Sequence, residues 1–415
     1  MPTSPLKILL CNKFYRPVGG PETIVLDTER ELKMRGHEVI VFAMAHPDNA
    51  ESEYSHYFVP NIDYNDESRG ILKRLREAVD IIYSREAARR LSKLLADAKP
   101  DICHAHNIYH QLSPSILVTL RRAGIPTVLT LHDGKLLCAN MMFLRQGKIC
   151  EKCAGKRFYH AVPGKCVKDS YVSSFVCTME ETIHRLFRLY ETGVDLFITP
   201  SEFLKSKLVE HGRLRERQIE VLHNYAGTHL VVPSYTPGSY GLFVGRLEPL
   251  KGVQTLLDAC ERIPDFEVRL AGRGPMLEEG QRFVESKQLD KVKFLGFQSG
   301  DNLRALFRDC RYVVLPSECY ENCPMVVLEA FAAGKPVIAS RIGGIPELVN
   351  HGEDGLLFEP GNSEELAKCM KMLIDNKAIA EEMGRKGRAK AEEQFSLEYH
   401  MDSLISIYSR LLSSR

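Results

Sequence analysis

Short apolar runs alternate along this chain with longer stretches in which apolar residues recur at helical spacing. Runs of strand length include Leu6–Asn12, His37–Met44, Asp195–Thr199, Gly241–Val244 and Arg311–Leu315. Such runs suit strands that are buried on both faces, as in a parallel sheet covered by helices. The pattern therefore predicts an α/β chain.

The length of the chain, 415 residues, predicts two domains, because a single hydrophobic core rarely grows beyond about 250–300 residues. The segment Val231–Tyr240 is dense in Pro, Ser and Gly, which is typical of a linker. We therefore predict an N-terminal domain at 1–235, a C-terminal domain at 236–395 and a final helical segment at 396–415.

The composition excludes some classes of protein. Charged residues make up 26% of the chain and the net charge is +1, which gives no support to a nucleic-acid partner. No apolar run reaches the ~18 residues that a membrane-spanning helix needs. The first strand follows a short tail that lacks the signature of a signal peptide, so we predict a cytoplasmic location.

The most informative segment is 316–334, with the sequence P-S-E-C-Y-E-N-C-P-M-V-V-L-E-A-F-A-A-G. It follows an apolar strand, and Pro324 suits the first position of a helix that Gly334 would end. The free amides of a helix start carry about half a positive charge and suit an anion such as a diphosphate. The segment therefore predicts a strand, a polar loop and an anion-binding helix start.

Two carboxylates, Glu321 and Glu329, frame this helix start with seven residues between them. Helical side chains lean toward the N-terminus, so the Glu329 carboxylate could accept the hydroxyls of a ribose. The arrangement resembles the E-x7-E motif of the retaining, nucleotide-sugar-dependent glycosyltransferases of family 4. That family has the GT-B fold, in which two Rossmann-like domains face each other across a cleft. The alternative is a loop carboxylate and a solvated helix residue.

A second motif, G-R-L-E-P-L-K-G at 245–252, places Arg246 and Lys251 around a strand-to-helix turn. Two cations there could neutralise a departing diphosphate, whose charge grows as its bond to the sugar breaks. The motif is similar to the family's donor-phosphate motif. The alternative is a pair of solvated cations.

Two motifs in the first half and one aromatic residue extend the resemblance. The G-G-x-E loop beginning at Gly19 and Gly20 is similar to a family loop beside the donor diphosphate and the acceptor. The T-x-H-D strand end is similar to the family's position for a histidine beside the transferred sugar, here His132. The family lays the nucleobase near the position of Phe297. A plain tight turn and a structural histidine are the alternatives.

Five cysteines fall within 134–177, which we interpret as a cysteine-rich insertion in the N-terminal domain. Cys150 and Cys153 form a C-x2-C pair, and with Cys166 and Cys138 they could make an all-cysteine structural zinc site. Nearby basic residues would help to keep the thiolates deprotonated. Disulfides or reduced thiols are the alternatives.

A helical stretch over 69–99 carries Lys73, Arg74 and Arg76 beside apolar residues. Such a pattern could lie on the inner face of an anionic membrane, as a peripheral contact. The alternative is a domain helix with a solvated basic face.

The resemblance covers the whole chain and implies a retaining transfer of a sugar from a UDP- or GDP-linked donor to a glycan or lipid-linked acceptor hydroxyl. Polysaccharide, lipopolysaccharide or glycolipid synthesis would be the setting, and catalysis would need no cofactor. By the resemblance, the last helix crosses back onto the first domain. A non-catalytic nucleotide-sugar-binding assembly protein and a GT-B epimerase are the alternatives. The resemblance implies Glu321 and His132 at the reaction centre and a donor site of Gly19, Gly20, Arg246, Lys251, Asn322, Met325, Val326 and Glu329.

Overall fold

The computed structural model describes residues 5–61 and 71–414, apart from the side chains of 71–76. Its regular strands, in chain order, are β1 (Lys7–Cys11), β2 (Glu38–Phe42), β3 (Ile102–Ala105), β4 (Thr127–Thr130), β5 (Leu144–Arg145), β6 (Lys148–Ile149), β7 (Leu196–Thr199), β8 (Ile219–Val221), β9 (Tyr240–Val244), β10 (Glu267–Ala271), β11 (Val292–Gly296), β12 (Tyr312–Leu315), β13 (Val337–Ser340) and β14 (Gly355–Phe358).

Helices cover both faces of the sheets that these strands form. In chain order they are α1 (Gly20–Met34), α2 (Ile71–Ile82), α3 (Arg85–Ala98), α4 (Ser115–Arg122), α5 (Tyr171–Leu186), α6 (Leu189–Gly193), α7 (Glu202–Glu210), α8 (Val253–Cys260), α9 (Leu277–Ser286), α10 (Gly300–Asp309), α11 (Met325–Ala332), α12 (Ile345–Leu348), α13 (Ser363–Asp375), α14 (Lys377–Gln394) and α15 (Leu397–Ser413).

Two parallel six-stranded sheets form the frame of the molecule. The first has the order β2-β1-β3-β4-β7-β8, and the second has the order β11-β10-β9-β12-β13-β14. The second order is that of a Rossmann fold, in which the direction of winding reverses between the first and the fourth strand. The predicted α/β class is confirmed, and the two sheets form two Rossmann-like domains.

The strands are buried on both faces, which explains their apolar runs. All four residues of β12 are buried, and so are the four residues of β13 and β14. In a sheet of this kind ligands bind beyond the carboxyl ends of the strands, at the point where the winding reverses. In the second sheet, the loops that follow β9 and β12 are therefore the expected place for a ligand.

The C-terminal helix α15 returns to the first sheet. Its apolar residues Leu397, Met401, Leu404 and Tyr408 belong to one core cluster with Ile8 and other residues around the first sheet. Cys310, Val313, Val327 and Phe331 belong instead to a core cluster around the second sheet. Among the helices of the described residues, none combines the length and apolar character needed to cross a membrane.

Two details of the predicted helices are wrong. The stretch at 69–99 is not one helix, because Ser84 is extended and its Oγ accepts a hydrogen bond from the amide of Ala87, which starts α3. Pro324 is not the first helical residue but the residue before it, since its ψ of 120° is extended. Gly334 follows α11 with a φ of +72°, as expected for a glycine that ends a helix.

Part of the predicted basic helix lies outside the described residues. Residues 69 and 70 lie outside the described residues, and Lys73, Arg74 and Arg76 lie outside the described side chains. The proposed contact of this helix with a membrane surface therefore stays a prediction.

Candidate functional site

The loops after β9 and β12 meet beside the point where the second sheet reverses its winding. Lys251, which ends a short turn after β9, places its Nζ 2.5 Å from Oε1 of Glu321 in the loop after β12. The hydroxyl of Ser317 donates a second hydrogen bond to the same oxygen at 2.8 Å. Burial alone would lower the pKa of Lys251, but the charge of Glu321 and its hydrogen bond, with smaller effects of Cys319 and Glu248, together outweigh it and raise the pKa.

Two glycines allow this loop to pack tightly. Gly343 has a φ of +59°, and a Cβ atom there would lie 2.3 Å from the backbone oxygen of Glu321. A Cβ atom on Gly344 would lie 2.0 Å from the backbone oxygen of Asn322. Larger residues at these positions would therefore push the loop, and with it the Glu321 carboxylate, away from its place.

Helix α11 begins at Met325, four residues after Glu321 of this ion pair. Pro324 precedes it and provides no side-chain cap, so the first-turn amides are left for other acceptors. A helix start of this kind favours an anion. Lys251 and the start of α11 thus make a positively polarised end to the sheet.

A cavity of about 390 Å³ lies over this helix start, between the two domains. The first domain and the segment after it contribute Gly20, Pro21, His132, Pro200 and Asn224, and the second domain contributes Arg246, Lys251, Glu321, Asn322, Met325 and Val326. We call it the interdomain cavity. Eight of the ten predicted donor-site or reaction-centre residues, drawn from four separate segments of the sequence, line this one space.

Glu329 lies one turn into α11, behind the residues that line the interdomain cavity. Burial raises the pKa of its carboxyl to about 7. This carboxylate makes no hydrogen bond or ion pair with any of the described residues. A partly buried carboxylate without partners is costly, so hydroxyl groups of a ligand would relieve that cost.

Three predicted residues stand at or beyond the edge of the cavity. Arg246 lines it, but its side chain is 74% exposed and pairs with Glu248. Gly19 precedes α1 with an extended backbone, next to Gly20. Phe297 is 63% exposed, lies under the guanidinium of Arg273 and does not line the cavity. Its position beside a nucleobase stays a prediction.

His132 follows β4 and faces the second domain. Its Nε2 lies 3.0 Å from Nδ1 of His106, and the two rings stack. Burial, with a smaller effect of His400, lowers the pKa of His132 to about 4, so the ring is neutral near pH 7. The backbone oxygen of His132 accepts a hydrogen bond of 2.7 Å from the side-chain amide of Asn322.

A second cavity, of about 610 Å³, lies in the first domain at the ends of β1, β2 and β3. We call it the first-domain cavity. Its charged lining consists of Lys13, Arg16 and Lys168 with the carboxylate of Glu77, and His46 and His110 also line it. Three cationic side chains against one acidic side chain make it a basic pocket, and burial lowers the pKa of Lys13.

The four cysteines of the predicted zinc site are near one another. Neighbouring cysteines of this set contribute, after burial, to the raised pKa of Cys138, Cys153 and Cys166, and the side chain of Asn140 bridges the Cys138 sulfur and the backbone oxygen of Cys166. The expectation that basic neighbours keep these thiols deprotonated is wrong for Cys153, because burial raises its pKa to about 12. Burial likewise raises the pKa of Cys138 and of Cys166.

The sulfurs do not converge as ligands around one ion would. Sulfurs bound tetrahedrally to zinc lie roughly 4 Å apart, given Zn–S bonds of about 2.3 Å. Within the described part of the chain, the sets of three metal-type ligands within 4.8 Å of one another are His110, Cys177 and Glu180, and Glu180, Glu181 and His184. The zinc site therefore stays a prediction.

Those two sets already hold a cation. Lys135 is fully buried, and its ammonium lies 2.7 Å from Glu180 and 3.1 Å from Glu181. Burial alone would lower the pKa of this lysine, but the two carboxylates outweigh it and raise it. We interpret the cluster as a structural ion network under the first-domain cavity.

Sequence reasoning missed several residues of the site. Asn224, which follows β8, lines the interdomain cavity and donates a hydrogen bond to the backbone oxygen of Cys323. Its position after a strand of the first sheet is the sequence feature that could have identified it as a site residue. Ser317 and Tyr320 lie in the loop after β12, but no pattern in the sequence assigned either of them a contact.

Solved structures share the fold over nearly the whole chain. The Anabaena protein HepE, crystallised with UDP, superposes with a TM-score of 0.71 at 21% identity, covering 98% of this chain and all of that one. Sucrose-phosphate synthase of Thermosynechococcus elongatus superposes with a TM-score of 0.71 at 20% identity, covering 99% of this chain and all of that one. The fold is therefore that of the GT-B glycosyltransferases.

Family models identify the chain more closely. Residues 18–226 match the model described as Glycosyltransferase Family 4, and residues 232–390 match Glycosyl transferases group 1. The chain belongs to glycosyltransferase family 4. An uncharacterized glycosyltransferase of Methanocaldococcus jannaschii is 27% identical over 98% of this chain and 99% of its own length. The D-inositol 3-phosphate glycosyltransferase of Mycolicibacterium smegmatis is 32% identical over 53% of this chain and 54% of its own.

Proposed function

We propose that this protein transfers a sugar from a UDP- or GDP-linked donor to an acceptor hydroxyl, with the anomeric configuration retained. The observation that carries the proposal is the contact of Lys251 with Glu321 at the start of α11, inside a cavity that His132 closes from the other domain. HepE, which has the same fold, was crystallised with UDP and glucose. That ligand supports a nucleotide-sugar donor here.

The diphosphate of the donor would bind where the positive charge is concentrated. Lys251 and the amides of Met325 and Val326 would hold the phosphate oxygens, and Arg246 would swing in from the rim. These groups matter most as the sugar–phosphate bond breaks, because negative charge then accumulates on the departing phosphate. The cations thus do the work that a metal ion does in other enzymes, and no catalytic cofactor is needed.

Carboxylates would hold the two sugars of the donor. Glu329 would accept the ribose hydroxyls, and Glu321 would accept hydroxyls of the transferred sugar, with His132 against its reacting face. The acceptor oxygen would attack the anomeric carbon from the side on which the phosphate departs. The new carbon–oxygen bond forms as the bond to phosphate breaks, and the departing phosphate oxygen takes the acceptor's proton.

The first-domain cavity is the natural place for the acceptor. It opens at the same edge of the first sheet as His132, and its basic lining suits a glycan or lipid-linked acceptor that carries an anionic group. The Mycolicibacterium relative is named for a phosphate-bearing acceptor, which supports this choice. Polysaccharide, lipopolysaccharide or glycolipid synthesis at the cytoplasmic face of a membrane would fit such an acceptor.

The experiment is a transfer assay with a panel of UDP- and GDP-sugars and of glycan acceptors, with the product anomer assigned by NMR. An α-linked donor should give an α-linked product, and Lys251→Ala and Glu321→Ala should each reduce turnover by about 100-fold or more. Inversion of the anomer would refute the retaining mechanism. Donor binding without turnover on any acceptor would favour a non-catalytic binding protein.

We also propose a structural zinc ion at Cys138, Cys150, Cys153 and Cys166. Their mutual proximity supports it, although closure around an ion requires the side chains to move inward. Metal analysis of the purified protein should give one zinc per chain, and Cys150→Ser with Cys153→Ser should remove it. Absence of zinc, with disulfides detected by mass spectrometry, would refute it.

A further inference from the structure

Tyr320 belongs to the second domain, but its side chain lies against the first. Its ring packs 4.8 Å from the ring of Phe203 and edge-on to Phe143 at 5.8 Å, measured between centroids. Its hydroxyl donates a hydrogen bond of 2.7 Å to Oε1 of Glu151. Tyr320 is the residue immediately before Glu321, so this contact ties the donor-site loop to the opposite domain.

Glu151 is itself firmly held. It lies between Cys150 and Cys153, and Lys207 of α7 approaches its two oxygens at 2.9 and 3.0 Å. His211 lies 3.4 Å from the carboxylate as well. A carboxylate that Lys207 contacts through both oxygens is a strong acceptor for the Tyr320 hydroxyl.

The hydroxyl of Tyr320 is a dependable donor. Burial and the contact with Glu151 raise its pKa to about 12, so it keeps its proton throughout the working range. A hydrogen bond from a neutral phenol to a carboxylate is stronger than one between two neutral groups. The Tyr320 hydroxyl therefore remains a hydrogen-bond donor across neutral pH.

The residues that follow Tyr320 and Glu321 also form hydrogen bonds with the first domain. The side chain of Asn322 donates to the backbone oxygen of His132 at 2.7 Å, and Asn224 donates to the backbone oxygen of Cys323 at 3.1 Å. Contacts with the first domain therefore lie on both sides of Glu321. Glu321 itself turns the other way, toward Lys251.

We infer that Tyr320 is a positioning residue, which uses Glu151 as its anchor to hold the Glu321 carboxylate in place across the cleft. The inference rests on the proposed function for the role of Glu321, whereas the contact itself does not depend on it. It also assigns a role to the C-x2-C segment, because that segment carries Glu151, which contacts Tyr320 of the donor-site loop. Through Glu151, this segment of the first domain contacts the donor-site loop of the second domain.

The test compares Tyr320→Phe, Glu151→Gln and the double variant with the wild-type protein. Tyr320→Phe keeps the aromatic packing and removes only the hydroxyl. Glu210→Gln is the matched control, because Glu210 also lies near Lys207, at 3.8 Å, but is largely exposed. Tyr159→Phe, at a 60% exposed tyrosine of the same insertion, is the control for loss of a hydroxyl.

Hydrogen–deuterium exchange is the first readout, since it needs no turnover. Peptides that cover 316–323 should exchange faster in Tyr320→Phe and in Glu151→Gln, with no change in either control. The effects should not add in the double variant, because both changes break one hydrogen bond. Unchanged exchange in both single variants would overturn the inference.

Steady-state kinetics with the active donor is the second readout. Tyr320→Phe should reduce kcat about tenfold with little change in the donor KM, because a loosened Glu321 is misplaced mainly in the transition state. A raised KM with unchanged kcat would contradict a positioning role. If the wild-type protein shows no turnover, the proposed function fails, while the exchange experiment still decides whether Tyr320 holds the loop.

Discussion

Glu329 offers a prediction in which stability and function move in opposite directions. Its carboxyl is largely buried, and burial raises its pKa from 4.5 to about 7. The folded protein therefore holds this proton more tightly than the unfolded chain does. Replacing Glu329 by Gln removes the charge but keeps the shape of the side chain, so it should stabilise the free protein whenever the carboxyl would be ionised.

The magnitude follows from the shift. Each pKa unit corresponds to about 1.4 kcal/mol, so a change from 4.5 to about 7 gives an upper limit of about 3 kcal/mol. Above pH 7 the carboxyl is ionised in both states and the whole cost is present. As the pH falls from 7 to 4.5 the folded state takes up the proton first and the cost disappears. Glu329→Gln should thus stabilise by up to about 3 kcal/mol at pH 8 and by less than about 1 kcal/mol at pH 5.

The assay is denaturant unfolding of the wild-type protein and Glu329→Gln at pH 5 and pH 8, followed by a probe of the second domain. Glu393→Gln, at an exposed glutamate of α14, is the control and should change stability little at either pH. Equal stability of Glu329→Gln and the wild-type protein at pH 8 would refute the reasoning. Donor binding should fall about tenfold or more in the same variant, because ribose hydroxyls lose a charged acceptor.

The remaining predictions concern other parts of the molecule. Lys135→Met should lower the free energy of unfolding by about 3–5 kcal/mol, because it leaves Glu180 and Glu181 buried without a cation; thermal unfolding measures this, and an unchanged midpoint would contradict it. A chelator should lower the melting temperature of the wild-type protein but not that of Cys153→Ser if zinc is bound; equal shifts would contradict the zinc site. Gly344→Ala should reduce turnover while leaving overall folding intact, because its new Cβ atom meets the backbone of the donor-site loop; unchanged kinetics would contradict the importance of that packing.

The contact between Lys251 and Glu321 could be expected from the sequence. Both residues follow buried strands, and the carboxyl ends of parallel strands share one edge of a sheet. The same argument placed His132 at the facing edge of the first sheet. Local signals sufficed for this part because the strands fix where each loop begins.

Other features depend on how the two domains meet. Tyr320 and Glu151 are 169 residues apart and lie on different domains, and no periodicity or spacing connects them. The pKa values of the cysteines depend on burial, which outweighs the basic neighbours that the sequence displays. The break at Ser84 was visible in principle as an N-cap residue, but the amphipathic pattern on either side obscured it.

The central claim is that the start of α11 and Lys251 together bind the diphosphate of a nucleotide donor. Calorimetry with UDP and UMP, using the wild-type protein and Lys251→Met, tests it most directly. The wild-type protein should bind UDP about tenfold or more tightly than UMP, and Lys251→Met should lose most of that difference. Equal affinity of the wild-type protein for both nucleotides, or a UDP preference that Lys251→Met retains in full, would contradict the claim.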